Sequence, residues 1–439
     1  MKNIIICTSG VCIGGMEVLF ANYAKFLVDN NYNVIFLTKK TEDNIFNILL
    51  KDIEDKIHFV WLKIRDSLYE SERSLNYNRN YVLKQIGDID YNDTYGVCGF
   101  FMDIELMISI FRNTPVKISY IWPHPLDWLA YLFPNQRTYN FKKQINNPLY
   151  LYQKELITKM HNKNASYYTS YAIFNFNKWY YEEPLSDRKI EGLPVQKNVK
   201  DIGYKITDNH RKWNILWVGR FDFYKNDAIF RIYKTLVSIA QTKRIDIEFN
   251  IVGDGLPKFR EELKSRMNNS IIKVNFLGIV HPDDLASIFS KNDIGIAMGV
   301  TVKQMGYAGL PAILIDSLSN EYSSPMCCNW VCDIETGDDG DGMYYSLIGK
   351  PLEYRQDLRA LLNEVFDNPC KLNEYSQKCK DAIAKQYSYE NQYNIITERI
   401  LNSKFTGDDA LIFRFNVIKR VMYKIKVYVY KYVKTLKIR

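Results

Sequence analysis

The run Trp213-Asn214-Ile215-Leu216-Trp217-Val218-Gly219-Arg220 opens the stretch, residues 213–316, on which the reading of the fold turns. Its apolar residues stop at a glycine and charge follows at once, with Lys225 shortly beyond and a long amphipathic stretch after it. More short apolar runs recur down the chain. Residues 245–252 end in Gly253-Asp254-Gly255, 274–277 in Gly278 and 294–298 in Gly299, while 312–316 follow Gly309-Leu310-Pro311. Short apolar strands that alternate with helix-length segments predict βαβ units and a parallel sheet. In such sheets the ligand crevice lies outside the carboxyl ends of the strands. Arg220, Gly253, Gly255, Gly278 and Gly299 all fall at those ends. Glycine lets backbone N–H groups approach an anion, helix N-termini favour negative charge, and Arg220 with Lys225 adds side-chain cations. These residues predict a diphosphate site.

Four motifs follow one another between residues 218 and 311: Val218-Gly219-Arg220-Phe221-Asp222-Phe223-Tyr224-Lys225, Val252-Gly253-Asp254-Gly255, Val274-Asn275-Phe276-Leu277-Gly278 and Gly309-Leu310-Pro311. In order and rough spacing the set resembles the family 4 glycosyltransferases, retaining, nucleotide-sugar-dependent enzymes of the GT-B fold. The resemblance implies an α/β architecture of two Rossmann-like, doubly wound domains facing a central cleft. It also implies retention of anomeric configuration and no obligatory metal or other cofactor, with the nucleotide diphosphate sugar as co-substrate. Arg220 and Lys225 would then grip the donor diphosphate, with Gly253 and Gly255 on the donor side and the main chain from Gly278 to Val280 against the base.

Nearer the start, residues 3–7 read as a buried strand leading into Gly14-Gly15-Met16-Glu17 and a helix. No G-x-G-x-x-G fits there, which disfavours a dinucleotide and hence a dehydrogenase. The four residues resemble the family's first loop, facing the donor phosphates and the acceptor; taken alone they equally allow a tight turn and a first-turn acid favoured by the helix dipole. His124 stands between two prolines on a strand-end loop, in Trp122-Pro123-His124-Pro125, so its backbone is constrained. Neutral imidazole can bond a sugar hydroxyl, and by position His124 matches a family histidine that touches the donor sugar. His58, His161, His210 and His281 read as lying in polar or linker contexts.

The family's fourth-strand segment usually carries two glutamates, of which the second holds the ribose hydroxyls. That position here is Gln304, and residues 298–304 contain no acid. The segment resembles a shortened loop in which Gly299 and the amides of Val300 and Thr301 face the donor phosphate. Glutamine can hydrogen-bond ribose but supplies no charge. This departure keeps a second reading open, a catalytically degenerate homologue that binds nucleotide sugar or a partner glycosyltransferase at the membrane.

A chain of 439 residues predicts more than one domain. Residues 1–195 read as the acceptor-side domain, with 190–211 as linker. Residues 196–402 read as the nucleotide-sugar domain, its last helix crossing back to the first, and 403–439 as a tail. No apolar run reaches bilayer length, and the first residues read as the start of a strand rather than a signal peptide. The eight cysteines are scattered, as in buried free thiols of a reducing cytoplasm. Cys327, Cys328 and Cys332 lack zinc-site spacing and read as a local loop. Asp88-Ile89-Asp90 is a two-letter match to a metal motif in a polar loop. Asp338-Asp339-Gly340-Asp341-Gly342 lacks the remaining ligands of a calcium loop and reads as an acidic turn.

The net charge of +8 is local: residues 411–439 hold nine Lys/Arg and no acid, and eight less nine leaves the rest of the chain at −1. At about 100° per residue, Ile418, Val421, Ile425 and Val429 share one face. Lys419, Arg420, Lys424, Lys426, Lys431, Lys434 and Lys437 fill the rest, with Arg414 before them. A basic amphipathic helix of this kind lies in a membrane interface. The expectation is a peripheral enzyme on the cytoplasmic face of the plasma membrane, acting on a lipid-linked or surface-glycan acceptor in polysaccharide or glycoconjugate synthesis, with no nucleic-acid partner.

Overall fold

Asn3–Cys7, buried at all five residues, is the inner strand β1 of a six-stranded parallel sheet. β2 (Asn33–Thr38) and β4 (Thr94–Cys98) flank it, and β3 (Ile57–Trp61), β5 (Lys117–Trp122) and β6 (Ser166–Tyr168) complete the order β3-β2-β1-β4-β5-β6. A parallel sheet is covered on both faces, which is why β1, β2, β4 and β5 are buried at consecutive rather than alternate residues. The computed structural model describes residues 1–9, 15–40, 44–63, 67–124, 128, 145–187, 190, 192–197, 199–207, 212–222, 225–268, 271–281, 284–316, 327–340 and 356–415. Two units divide the chain: unit 1 is Met1–Thr169, Asn177–Arg188 and the chain from Tyr393, and unit 2 is Ser170–Phe176 with Lys189–Gln392.

The helices of unit 1 include α1 (Gly15–Asp29), α2 (Glu72–Ile86), α3 (Phe101–Phe111) and α4 (Pro148–Asn162). The strand β4 stops at Cys98, and Phe101 opens α3, a helix buried along nearly its whole length.

Unit 2 holds a seven-stranded sheet of order β13-β12-β11-β10-β7-β8-β9. Its parallel strands are β7 (Lys212–Val218), β8 (Asp246–Val252), β9 (Lys273–Gly278), β10 (Ile294–Ala297) and β11 (Ala312–Ile315). The edge strands β12 (Cys327–Trp330) and β13 (Gln356–Asp357) run antiparallel, so Cys327 and Cys328 lie in a strand rather than in a loop. The helices are α5 (Lys225–Lys243), α6 (Pro257–Arg266), α7 (Gly299–Tyr307), α8 (Leu358–Asp367) and α9 (Lys371–Tyr387). Successive strand residues point to opposite faces. Thus Ile215 joins the core made with α5 and α8, while Leu216 joins the one made with α7 and α9.

The segment read as a linker lies along unit 2. The amide of Val195 donates to Tyr387 O (3.0 Å) and that of Ile202 to Ala308 O (2.9 Å), while Ile206 and Asn373 exchange two bonds. Helix α10 (Tyr389–Leu401) carries the chain into unit 1. There Tyr393 stacks on Tyr23 (5.5 Å) and donates to Leu19 O (3.1 Å), and Tyr23 bonds Thr397 (3.0 Å). Residues 411–415 have no regular secondary structure, so the expected helix does not begin at 411. Phe413 packs on Tyr152, Phe415 packs on Tyr69 and donates its amide to Leu68 O, and Arg414 turns to Glu72. Lys419, Arg420, Lys424, Lys426, Lys431, Lys434 and Lys437 lie outside the described residues. Among the described residues no helix is long and apolar enough to cross a membrane.

Candidate functional site

The strand order of unit 2 reverses between β7 and β10, which are adjacent although far apart in sequence. A doubly wound sheet opens its crevice at such a switch point, outside the strand carboxyl ends. Gly219, Arg220 and Phe221 leave β7 there, and Met298 and Gly299 leave β10 beside them. The helices that follow, α5 and α7, cover opposite faces of the sheet, so two helix N-termini flank the opening.

Asp222 organises the first of these. Its Oδ1 accepts the Lys225 amide (3.0 Å) and its carbonyl accepts the Asn226 amide (3.0 Å), an N-cap for α5. Its other oxygen stands 3.4 Å from Arg220 Nε, and Arg220 keeps 65% of its side-chain surface exposed. Lys225 is half-buried. Burial pushes its ammonium below the usual lysine range; Asp222 counters this and Arg220 adds to it. Arg220 and Lys225 thus stand at the same strand end, and Asp222 contacts the side chain of the one and the amide of the other. Asp222 was not singled out from the sequence, although an aspartate three residues before a helical lysine is a recognisable cap.

The glycines act differently from the expectation of bare amides. Gly253 donates its N–H to Gly278 O (2.8 Å), Gly255 to the Asp254 carboxylate (2.8 Å) and Gly219 to Val252 O (3.0 Å). Phe221 in turn donates to Asp254 O (2.9 Å). Strand tips are stitched backbone to backbone, with Arg260 holding Asp254 at 3.0 Å. A Cβ on Gly253 would meet Gly219 O at 2.1 Å, and one on Gly255 would meet Phe221 O at the same distance. Close approach of two main chains is therefore why glycine stands at both positions. Gly278 has φ +72 with open space around it, and Val280 is half-buried beyond.

At the second opening Gly299 has φ +64 and donates its amide to the Asp339 carbonyl (2.9 Å). Val300 and Thr301 are half-buried and Gln304 is buried in the next turn. α7 has no acid in its first turn and no side-chain cap. Lys303, which sequence reading passed over, is fully buried and paired with Asp339. Burial alone would push its ammonium down, but Asp339 and Tyr387 more than offset this and hold the proton on Lys303.

In unit 1 the corresponding reversal lies between β1 and β4. Gly15 opens α1, Glu17 is buried in its first turn, and Gly14 lies outside the described residues. The fully buried Asp103 of α3 accepts the Ser9 amide (3.0 Å) across the switch point, a contact that no local pattern announces. His124 is exposed just beyond β5. His161 is not in a polar or linker context: it is fully buried on α4, bonded through Nε2 to Ser186 Oγ (2.9 Å). Among the described residues no three His, Cys, Asp or Glu side chains group to hold a metal ion, and Asp90 accepts the Asn92 amide (2.9 Å) as a turn cap.

No protein-family model and no curated protein matches the sequence. Solved structures do. TarM shares 10% identity, with 91% of this chain and 99% of that one covered at a TM-score of 0.60. Sucrose-phosphate synthase from Thermosynechococcus elongatus also shares 10%, covering 91% and 98% at 0.59. A glycosyltransferase from Rickettsia africae shares 12%, covering 90% and 97% at 0.58. At these identities the likeness concerns the fold: two Rossmann-like units, each built on a mostly parallel sheet, as in the GT-B fold.

Proposed function

We propose that the chain is a glycosyltransferase that moves a sugar from a nucleotide diphosphate sugar to a hydroxyl of a lipid-linked or surface-glycan acceptor, with retention at the anomeric carbon. The observation that supports it best is the placement of Arg220 and the half-buried Lys225, both held by Asp222, at the switch point of unit 2. Preorganised cations there meet the negative charge that grows on a leaving diphosphate. Asp222 caps the start of α5 at Lys225 and stands beside Arg220. Gly299, Val300 and Thr301 would add the N-terminal dipole of α7, Gln304 a neutral partner for ribose, and the main chain from Gly278 to Val280 the contact with the base. Gly14, Gly15, Glu17 and His124 take the roles of the family positions that they match, towards the donor phosphates, the acceptor and the donor sugar.

The test is nucleoside diphosphate release from a panel of UDP-, GDP-, ADP- and TDP-sugars, with and without lipid-linked acceptor, in excess chelator. Release from one donor that depends on acceptor is expected. Saturable donor binding without release would establish the degenerate homologue instead. A product of inverted configuration, read by NMR, would remove retention.

Residues 416–439 are proposed to hold the protein on an anionic membrane surface, at the cytoplasmic side. Basic residues near such a surface contribute about 1 kcal/mol each. Deleting 416–439 leaves the packed 411–415 segment in place. The deletion is expected to lower sedimentation with anionic liposomes more than about tenfold. Undiminished sedimentation would remove the membrane from the proposal.

A further inference from the structure

Lys303 sits in the body of α7 with no exposed side-chain surface, a place lysine almost never occupies unless paired. Its partner Asp339 comes from the acidic turn 337–340, and its ammonium lies 4.2 Å from the centre of the Tyr387 ring of α9. That ring's hydroxyl accepts the Gly337 amide (2.9 Å), and Asp338 Oδ1 accepts the Gly340 amide (3.0 Å). Gly340 has φ +88, and a Cβ there would meet Ile315 O at 2.4 Å, so the turn is seated on the end of β11. The turn therefore holds α7 at two points one helical turn apart. The main-chain carbonyl of Asp339 takes the Gly299 amide, and its carboxylate takes Lys303.

A buried ion pair contributes little net stability against apolar side chains of the same shape, and its best-attested use is to set a register. α7 has neither a side-chain cap nor an acidic first turn to fix its own start. We infer that Asp339, Lys303 and Tyr387 form a positioning latch that sets the place of the first turn of α7 at the switch point, and so controls how tightly a phosphate-bearing ligand is held there. The inference rests on the proposed reading of that turn as facing the donor phosphate. Asp339 and Lys303 act through the backbone of residues 299–301 and touch no ligand themselves. The acidic turn thus enters the site from a part of the chain that the family motifs do not include.

The test is the double variant Lys303→Met/Asp339→Asn, which leaves no unpaired charge behind. Hydrogen exchange over residues 299–304 and Kd for UDP, GDP and ADP are measured, with the corresponding monophosphates as comparison. Exchange about tenfold faster and a diphosphate Kd about tenfold higher are expected, with the monophosphate Kd moving less and Tm near that of the parent. Unchanged exchange, or a lower Tm with diphosphate Kd unchanged, would overturn the latch. Should the double variant not fold, Tyr387→Phe removes only the hydroxyl that receives Gly337. It is expected to move both quantities about threefold in the same direction, and no movement would overturn the latch equally. A parent protein that binds none of the diphosphates defeats the diphosphate reading itself; the exchange measurement, which needs no ligand, still decides whether the cluster orders α7.

Discussion

Arg220→Ala is expected to lower donor turnover by about 10²–10³, the usual cost of removing one preorganised group that meets transition-state charge. Its stability should scarcely change. The guanidinium is mostly exposed, and its ion pair with Asp222 at 3.4 Å is of the exposed kind that contributes about 0–1 kcal/mol. This separation makes the experiment clean, because a loss of activity cannot be blamed on unfolding. Arg220→Lys keeps the charge but not the planar fork, and should fall between parent and alanine variant. Nucleoside diphosphate release under saturating donor, beside a thermal melt, reads both quantities. Near-parental turnover in the alanine variant would end the diphosphate assignment.

Gly253→Ala is expected to do the reverse and damage the fold first. The residue has φ +133, and the added Cβ would stand 2.1 Å from a main-chain carbonyl that cannot swing aside. Backbone strain costs about 1–3 kcal/mol and overpacking a further 1–3 kcal/mol or so. A total near 3 kcal/mol lowers the Tm of a domain this size by about 6–12 °C. Gly278→Ala is the control. It shares a positive φ but has open space around it, so only about 1–2 kcal/mol of strain is expected. Equal melting temperatures for the two variants would show that the stitched strand tips do not constrain the site.

The cationic residues after β7 were readable because they are local. Arg220, Asp222 and Lys225 lie within one short run, and the cap that joins them spans three residues. The alternation of apolar runs with helix-length segments likewise carried the parallel sheets. What failed to show is non-local. Asp339 reaches Lys303 across 36 positions and Asp103 reaches Ser9 across 94. A lysine within a helix ordinarily reads as a solvated face, and a run of aspartates as a surface turn. Only their mutual burial says otherwise. His161 was misread for the same cause, because its partner Ser186 sits 25 residues away.

Sequence alone therefore determined the fold class, the glycine-ended strands of residues 213–316 and the cations that follow the first of them, since periodicity, glycine punctuation and helix capping are properties of neighbouring residues. Tertiary structure alone decided that Gly253 and Gly255 serve close main-chain approach rather than offering their amides. It alone also placed an acidic turn against the start of α7 and ran the supposed linker along unit 2. Those outcomes depend on which distant segments pack together, and that is settled by burial and by the need to pair every buried polar group, not by local pattern.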